Sequence, residues 1–98
     1  MSSIDEVVAT VSEKLSSAEP FGKKILFMLD GDPLYLDGTT NPPSVATTEG
    51  EADVTITATL ADFVKVLNKQ MNPQMAFMMG KIKLKGDMMA AMVLQKIF

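Results

Sequence analysis

The sequence predicts one small α+β domain, and three observations lead to this fold class. The chain has 98 residues, which is the length of a single domain, and 47% of them are apolar, enough to bury one core. Apolar residues recur at helical spacing near the start of the chain. Further along, a segment alternates strictly between apolar and polar residues, as a half-buried strand does. We therefore expect residues 1–98 to form one domain of mixed helices and strands.

An amphipathic helix is predicted at the start of the chain. Ser3 can cap it, with Glu6 three residues later as the partner in a capping box. The apolar residues at spacings of three and four are Ile4, Val7, Val8, Val11 and Leu15. Pro20 and Gly22 are expected to end this segment.

A hairpin and a further strand are predicted next. Lys24–Leu29 is an apolar run of strand length, Asp30–Pro33 has the composition of a turn, and Leu34–Leu36 returns as the second arm. The Gly- and Pro-containing residues 37–43 are predicted as a loop, and Ser44–Glu49 as a short strand.

The residues from Ala52 to Thr59 show the alternation of a strand with one buried face. Val54, Ile56 and Ala58 occupy the apolar positions, and threonines separate them. Thr59 is then expected to cap a second helix, since threonine oxygen accepts a hydrogen bond from a free backbone N–H in the first turn. Its buried side is predicted to hold Phe63, Val66 and Leu67.

A short third helix and a lysine-rich strand are predicted after it. Asn72 followed by Pro73 is typical of a helix start, and Gly80 is expected to end the helix. Lys81–Lys85 alternates, so that its lysines face water while Ile82 and Leu84 face inward. These lysines are either a solubilising strand face or a contact with anionic lipid headgroups, and the pattern alone leaves both open.

The last segment is apolar on nearly every side. Gly86 is expected to break the strand and Asp87 to cap a final helix over residues 88–98, in which only Gln95 and Lys96 are polar. Such a helix must be covered on more than one side, by the sheet and by a partner helix, a second chain or an apolar ligand.

Methionine is concentrated in this part of the chain. Seven of the nine methionines lie in residues 71–98. Because unbranched thioethers adapt to irregular apolar space, they favour either a filled core or a slot for an acyl chain or ring system. Three adjoining apolar surfaces are predicted, formed by Phe63, Val66 and Leu67, by Met71, Met75, Met78 and Met79, and by Met88, Met89, Met92 and Val93.

The composition argues against several kinds of function. The chain contains neither Cys nor His, which excludes disulfides, thiol nucleophiles, Cys/His zinc sites and histidine-based proton transfer. No nucleophile and base form a recognisable constellation, so we expect no catalytic residues, no metal, no cofactor and no enzymatic activity. Asp30, Asp32 and Asp37 are interpreted as turn residues and not as calcium ligands. A pI near 4.7 and a net charge of −3 argue against nucleic acid as a partner.

The location predicted from the sequence is cytoplasmic. The opening residues lack the basic and apolar regions of a secretory signal, and the last three residues are not a peroxisomal tripeptide. The longest nearly uncharged apolar run, 11 residues to Phe98, reaches roughly 17 Å as a helix against about 30 Å of bilayer hydrocarbon.

The second half of the chain resembles a known family. The segments Ala52-Asp-Val-Thr-Ile-Thr57, Asn72-Pro-Gln-Met-Ala-Phe77 and Gly80-Lys-Ile-Lys-Leu-Lys-Gly86, with the Met-rich end and Leu94-Gln95, are similar to the sterol carrier protein type 2 domain. The order and spacing match over roughly residues 20–98. The string Asn-Pro-Gln-x-Ala-Phe-x-x-Gly-Lys-x-x-x-x-Gly is its specific part.

This resemblance implies a five-stranded, mainly antiparallel sheet covered by helices, with an apolar tunnel between sheet and helices. It also implies a lipid ligand, such as a fatty acid, fatty acyl-CoA, sterol or phospholipid, and transfer between membranes or presentation to enzymes. Lys69-Gln-Met71 and Asp87 depart from the family pattern at loop and cap positions. The chain also stops at Phe98, without the closing tail of animal members, which suggests a more open tunnel mouth.

The resemblance also implies residue roles. Phe77, Met78, Ile82 and Leu84 would lie beside the tunnel, Met89, Met92 and Val93 would line it from the last helix, and Gln74 and Gln95 would make polar contacts at its ends. Together with the apolar surfaces above, the expected ligand-binding residues are Phe63, Leu67, Met71, Gln74, Met75, Phe77, Met78, Ile82, Leu84, Met89, Met92, Val93 and Gln95.

Two functional hypotheses follow from these observations. The first is a non-enzymatic intracellular carrier, a monomer or weak dimer, that holds an apolar lipid in a Met-rich tunnel and contacts membrane surfaces transiently. The alternative is a structural, dimerisation or accessory domain of a lipid-metabolising system, in which the methionines fill a closed core.

Overall fold

A computed structural model describes residues 4–90 and residue 92 of the chain. In this part of the chain, three helices and five strands confirm the α+β class. Their bounds are α1 Ile4–Leu15, β1 Lys24–Leu29, β2 Asp32–Asp37, β3 Ser44–Ala46, β4 Val54–Ala58, α2 Leu60–Leu67, α3 Pro73–Met78 and β5 Ile82–Gly86.

Helix α1 forms as its apolar spacing predicts. Val7, Val11 and Leu15 lie one turn apart and are buried, with at most 2% of their surface exposed. Asp5 and Glu6 lie in the first turn, where negative charge stabilises the positive end of the helix dipole. The predicted cap Ser3 lies outside the described residues.

The hairpin between β1 and β2 is tighter than the sequence predicted. Its two turn residues, Asp30 and Gly31, have φ values of 53° and 87°, the positive values that a two-residue type I′ turn requires. Strand pairing therefore continues up to the turn, and β2 begins at Asp32 instead of the predicted Leu34. Pro33 lies in β2 beyond the end of β3, where its missing N–H removes no bond to that strand.

The five strands form one sheet in the order β3-β2-β1-β4-β5. The pairings β1–β2, β2–β3 and β4–β5 are antiparallel, whereas β1 and β4 are parallel. The expected five-stranded, mainly antiparallel sheet is therefore confirmed. The parallel pair lies at the centre of the sheet and joins the hairpin half to the half that carries α2, α3 and β5.

Strands β3, β4 and β5 differ at their ends from the prediction, and β4 covers only Val54–Ala58 of the predicted Ala52–Thr59. Strand β3 ends at Ala46, three residues before the predicted Glu49. Strand β5 includes Gly86, which was predicted to break it and instead pairs with Val54 with a φ of 120°. Its missing side chain allows the strand to approach the carbonyl of Asp53, to which an added Cβ would lie only 2.6 Å away.

The core lies between one face of the sheet and the helices. The alternating strand residues that face it are Ile25, Phe27, Leu29, Leu34, Leu36, Val54, Ile56 and Ala58, all buried. From the helices, buried residues of α1, α2 and α3 pack into the same cluster. Among the described residues, no polar or charged side chain is buried in this interior.

We expect Gly86→Ala to destabilise the protein by about 3 kcal/mol, because it combines a positive φ with a backbone clash. Gly31→Ala is the matched control: its φ is also positive but its Cβ would meet nothing within 4 Å, so a loss of about 1 kcal/mol is expected. Urea denaturation measures both free energies of unfolding. Equal losses would show that the approach to Asp53 imposes no constraint.

Candidate functional site

Helix α2 places the first predicted site residues against the sheet. The Thr59 hydroxyl accepts a hydrogen bond from the Asp62 N–H at 3.1 Å, and the Asp30 carboxylate accepts one from the Leu60 N–H at 3.0 Å. The predicted cap is therefore confirmed, and a second acceptor comes from the β1–β2 turn. These bonds orient α2 so that its apolar face meets the core.

Phe63 and Leu67 lie on that apolar face. The ring of Phe63 packs at a tilt against Phe27 of β1, with centroids 4.8 Å apart, and its exposure is only 3%. Such aromatic contacts stabilise beyond the area they bury. Leu67 is equally inaccessible, with 5% of its surface exposed.

A groove lies between α1 and α2. Its volume is about 170 Å³, and its lining residues are Glu6, Val7, Thr10, Val64, Leu67 and Asn68. Ligand pockets typically measure about 300–1,000 Å³, so this groove alone is too small to enclose a sterol or a long acyl chain. Of the predicted site residues, only Leu67 lines it.

Helix α3 presents apolar side chains to solvent. The Asn72 side chain accepts hydrogen bonds from the N–H groups of Gln74 and Met75, at 2.8 and 3.4 Å, which confirms it as the cap. Ala76 is fully buried and is the α3 residue that reaches the core. The surrounding side chains of Met75, Phe77 and Met78 are 56%, 44% and 81% exposed.

Strand β5 lies at the edge of the sheet beside α3. Ile82 and Leu84 face the core, opposite Ala58 and Ile56 of β4, and are buried and half-buried respectively. The intervening lysines are exposed, as predicted. This strand therefore carries an apolar inner face and a cationic outer face.

Asp87 fixes the segment that follows β5. Its Oδ1 accepts a hydrogen bond from the Met89 N–H at 2.9 Å, which caps a helical turn that begins at Met88. Its Oδ2 lies 3.2 Å from the Lys23 Nζ, and its N–H donates to the Asp53 carbonyl at 2.8 Å. The segment is thus attached to the sheet on the side of β1 and β4.

The ionisation of Asp87 follows from these contacts. The backbone hydrogen bond from Met89 and, after it, the side-chain bond from Lys23 hold the pKa of Asp87 below its usual value. Both partners stabilise the ionised carboxylate, so the cap depends on its negative charge.

The apolar side chains of this last described segment are largely uncovered. Ala90 is fully buried, whereas Met88, Met89 and Met92 are 49%, 67% and 59% exposed. The rest of the predicted final helix, including the candidate site residues Val93 and Gln95, lies outside the described residues.

The predicted site residues therefore fall into two groups. Phe63, Leu67 and Ile82 are buried, and Met71 and Leu84 are partly buried against the core. The exposed members are Gln74, Met75, Phe77, Met78, Met89 and Met92. The first group lies in or against the core, and the second lies at the surface, on α3 and in the segment that follows β5.

Sequence reasoning did not find the groove residues Val7, Thr10 and Val64. Helical spacing showed which faces of α1 and α2 are apolar, but no residue pattern indicated that the two helices are neighbours. Asp30 was interpreted only as a turn residue, whereas its carboxylate also accepts a bond from the start of α2.

No helix in the described part of the chain is long and apolar enough to cross a bilayer. No group of three acidic side chains in the same residues converges as metal ligands would. The cytoplasmic location stays a prediction of the sequence.

Comparison with known proteins identifies the family. The model of the SCP-2 sterol transfer family matches residues 4–98, almost the whole chain. The chain belongs to the SCP-2 sterol transfer family. The resemblance found in the sequence is thereby confirmed.

Individual relatives agree with this assignment. Human hydroxysteroid dehydrogenase-like protein 2 is 32% identical over 101 residues, which cover 96% of this chain and 24% of that protein. Human sterol carrier protein 2 is 47% identical over 47 residues, covering 48% of this chain and 9% of that protein. The chain thus spans about a quarter or less of these curated relatives.

A solved structure shows the same fold. Apo sterol carrier protein 2 from Yarrowia lipolytica superposes with a TM-score of 0.68 at 28% identity, covering 93% of this chain and 75% of that one. The α+β architecture described above is therefore that of sterol carrier protein structures.

Acidification is expected to release the Asp87 cap. Because its pKa is lowered on folding, Asp87 contributes stability that is present above the unfolded value of about 3.9 and is lost as pH falls through the folded pKa. Asp87→Asn keeps a capping side chain but cannot ionise, so its stability should vary less between pH 5 and pH 2. Denaturation midpoints across this range, for both proteins, measure the difference. Identical pH profiles would contradict the role of the charge.

Proposed function

We propose that this chain is a non-enzymatic lipid carrier that holds one apolar molecule between the sheet and the helices. The ligand class is a fatty acid, a fatty acyl-CoA, a sterol or a similar lipid. One observation carries the proposal. In a member of the SCP-2 sterol transfer family, every large apolar side chain that is exposed among the described residues lies between Met75 and Met92.

This concentration of exposed apolar surface supports a ligand that covers it. Single exposed apolar residues are normal on a protein surface, but a contiguous group marks a binding site. Met75, Phe77 and Met78 precede β5 along the chain, and Met88, Met89 and Met92 follow it. A lipid lying along the inner side of β5 would contact both groups in the proposed arrangement, together with Phe63 and Ile82 of the core.

The energetics favour long apolar ligands. Burial of one methylene contributes about 0.8 kcal/mol, whereas association costs about 4–15 kcal/mol in lost freedom. Burial of about five methylenes therefore offsets the lowest cost in that range, and burial of about nineteen offsets the highest. Short-chain acids should bind poorly, and long acyl chains and sterols should bind well.

We assign the residues of the proposed site by their place in the fold where the structure describes them, and Val93 and Gln95 by the family resemblance alone. Phe63, Leu67, Ile82 and Leu84 form the floor, with Met71 at its margin. The proposed adaptable walls are Met75, Phe77, Met78, Met89, Met92 and Val93, and the proposed polar contacts at the ends are Gln74 and Gln95. Because thioether side chains repack easily, this wall should accept several lipids.

The residue composition supports ligand binding without catalysis. The chain has no His and no Cys, the residues that most often serve as base and nucleophile. The proposed walls carry thioether, aromatic and aliphatic groups, none of which transfers protons. The ligand would therefore be released unchanged.

Met92→Asp is expected to weaken lipid binding by at least tenfold, because burial of even a neutral polar group costs about 1–3 kcal/mol and burial of a carboxylate costs more. Met92 is 59% exposed, so the variant should fold. Ser12→Asp on the exposed side of α1 adds the same charge as a control and should leave binding unchanged. Titration of a fluorescent fatty acid or sterol analogue into delipidated protein measures both.

The same titration tests the function itself. Saturable binding of the native chain at micromolar ligand is expected, and no saturable binding below tens of micromolar would contradict the proposal. Sedimentation with and without lipid tests the dimerisation alternative. A dimer that persists unchanged when lipid is added would favour the alternative.

A further inference from the structure

Sulfur and the hydrophobic core are separated in this protein. The seventeen buried apolar side chains of the described residues are valine, leucine, isoleucine, phenylalanine and alanine, and none is methionine. Methionine is commonly used to fill gaps in packed interiors, so this core could have contained it. The methionines that the structure describes therefore lie outside the fully buried core.

Most of them are exposed to water. Six of the seven exposed large apolar side chains among the described residues are methionines, with 49% to 81% of their surface accessible. These six, called here the exposed methionines, are Met75, Met78, Met79, Met88, Met89 and Met92. No leucine, isoleucine or valine in the described part of the chain is exposed.

Contact with a lipid does not by itself explain this use of methionine. Leucine and methionine have similar volumes and replace each other in apolar surroundings at little cost. A wall of leucines would cover an acyl chain as well as a wall of methionines. The presence of sulfur at the exposed positions points to a property that leucine lacks.

That property is the reaction of a thioether with a hydroperoxide. A lone pair of the sulfur attacks the terminal peroxide oxygen, the O–O bond breaks and an S–O bond forms. The proton of the transferred oxygen moves to the leaving oxygen, so hydrogen peroxide yields water. Sulfur gives up two electrons and the peroxide accepts them, and no other reactant is needed. The product, methionine sulfoxide, is polar, and dedicated reductases convert it back.

Two other described methionines provide an internal comparison. Met28 and Met71 are only partly exposed. Met28 lies in β1 between Phe27 and Leu29, which face the core, so its own side chain is on the opposite face of the sheet. A methionine outside the proposed lipid site is therefore available as a control.

We propose that the exposed methionines are an oxidation site for small hydroperoxides arriving from water, and that their conversion to sulfoxides weakens binding of the apolar cargo. This inference rests on the proposed carrier function, because Met75, Met78, Met89 and Met92 are assigned to the walls of the lipid site. An apolar ligand cannot hydrogen-bond to a sulfoxide oxygen that it covers, so covering that oxygen is unfavourable. Peroxide thus converts a wall that retains lipid into one that releases it.

The fold should survive this oxidation. The buried core of the described residues contains no sulfur. Two of the exposed methionines take part in helix caps, but they do so through the backbone. The Met75 N–H donates to the Asn72 side chain and the Met89 N–H to Asp87. Oxidation at sulfur therefore alters the surface of the proposed site and leaves the packing beneath it in place.

Peptide mass spectrometry after limited treatment with hydrogen peroxide locates the oxidation. We expect the exposed methionines to react about fivefold faster than Met28 and Met71, because the peroxide must reach the sulfur. Far-UV circular dichroism of the treated protein should match that of the untreated protein. Equal rates at all of these methionines, or loss of the folded spectrum on oxidation, would overturn the proposal.

Titration of a fluorescent fatty acid into delipidated protein, before and after the same treatment, measures the effect on cargo. The oxidised chain should bind at least about tenfold more weakly. An affinity that oxidation leaves unchanged would overturn this proposal and leave the carrier function in place. Absence of binding before treatment would contradict the carrier function, and this proposal with it.

Bound cargo should in turn protect the sulfurs that it covers. An excess of unlabelled fatty acid should slow oxidation of Met75, Met78, Met89 and Met92, whereas the rate at Met28 should not change. Cargo that binds without protecting any of the four would show that they do not contact it, and would overturn the proposal.

Leucine variants assign the effect to sulfur. Each variant is compared with itself before and after peroxide, so a change in its starting affinity does not affect the result. Affinity should become nearly insensitive to peroxide in the variant that combines Met75→Leu, Met78→Leu, Met79→Leu, Met88→Leu, Met89→Leu and Met92→Leu. Met28→Leu removes a sulfur from the opposite face of the sheet and should leave the native sensitivity unchanged. Equal sensitivity of the two variants would overturn the assignment.

Reduction of the sulfoxides completes the test. The oxidised protein is treated with two methionine sulfoxide reductases, one for each sulfoxide epimer, and mass spectrometry confirms that the sulfur is reduced. The native affinity should then return. Weak binding that persists after complete reduction would show that another lesion is responsible and would overturn the proposal.

Discussion

The parallel pairing of β1 with β4 is the constraint on which the rest of the architecture depends. A parallel neighbour cannot be reached through a tight turn, so the chain must first complete the β2 and β3 strands on one side. After β4, it returns through α2 and α3 to place β5 on the other side. With Phe27 of β1 level with Ile56 of β4, the apolar residues of the two strands share one face, and all three helices pack there.

The helices meet that face to different extents, and the proposed site depends on this difference. Helix α1 and helix α2 each bury three residues, whereas α3 buries only Ala76. A six-residue helix held by a single small residue cannot hide its other apolar side chains. Met75, Phe77 and Met78 consequently remain at the surface beside an edge strand, accessible to a ligand.

Local structure could be predicted from the sequence because local interactions determine it. The caps Thr59, Asn72 and Asp87 form the predicted hydrogen bonds, since each acceptor lies two or three residues from its donor. Alternation in β4 and β5 likewise identified their buried faces. Features that depend on residues far apart in the chain were harder to predict. The residue pattern did not indicate the α1–α2 groove, and the pairing of Gly86 with Val54 depends on a backbone segment distant in sequence.

The candidate site was predictable in part, for the same reason. Spacing identified Phe63, Leu67 and Ile82 as inward-facing, and they are buried. It could not distinguish a methionine inside the core from one at its margin, because thioethers are common in both. The exposure of Met75 and Met78 depends on how few residues of α3 pack against the sheet. Packing of this kind cannot be read from the spacing of apolar residues in the sequence.

The position of β5 at the end of the described sheet has a consequence for aggregation. A terminal strand has one row of backbone donors and acceptors unpaired by its own sheet, and such rows template the addition of strands from other molecules. Lys81, Lys83 and Lys85 oppose this by electrostatic repulsion between copies. Neutralisation of these ammonium groups, by acetylation for example, would therefore remove a protection against edge-to-edge polymerisation.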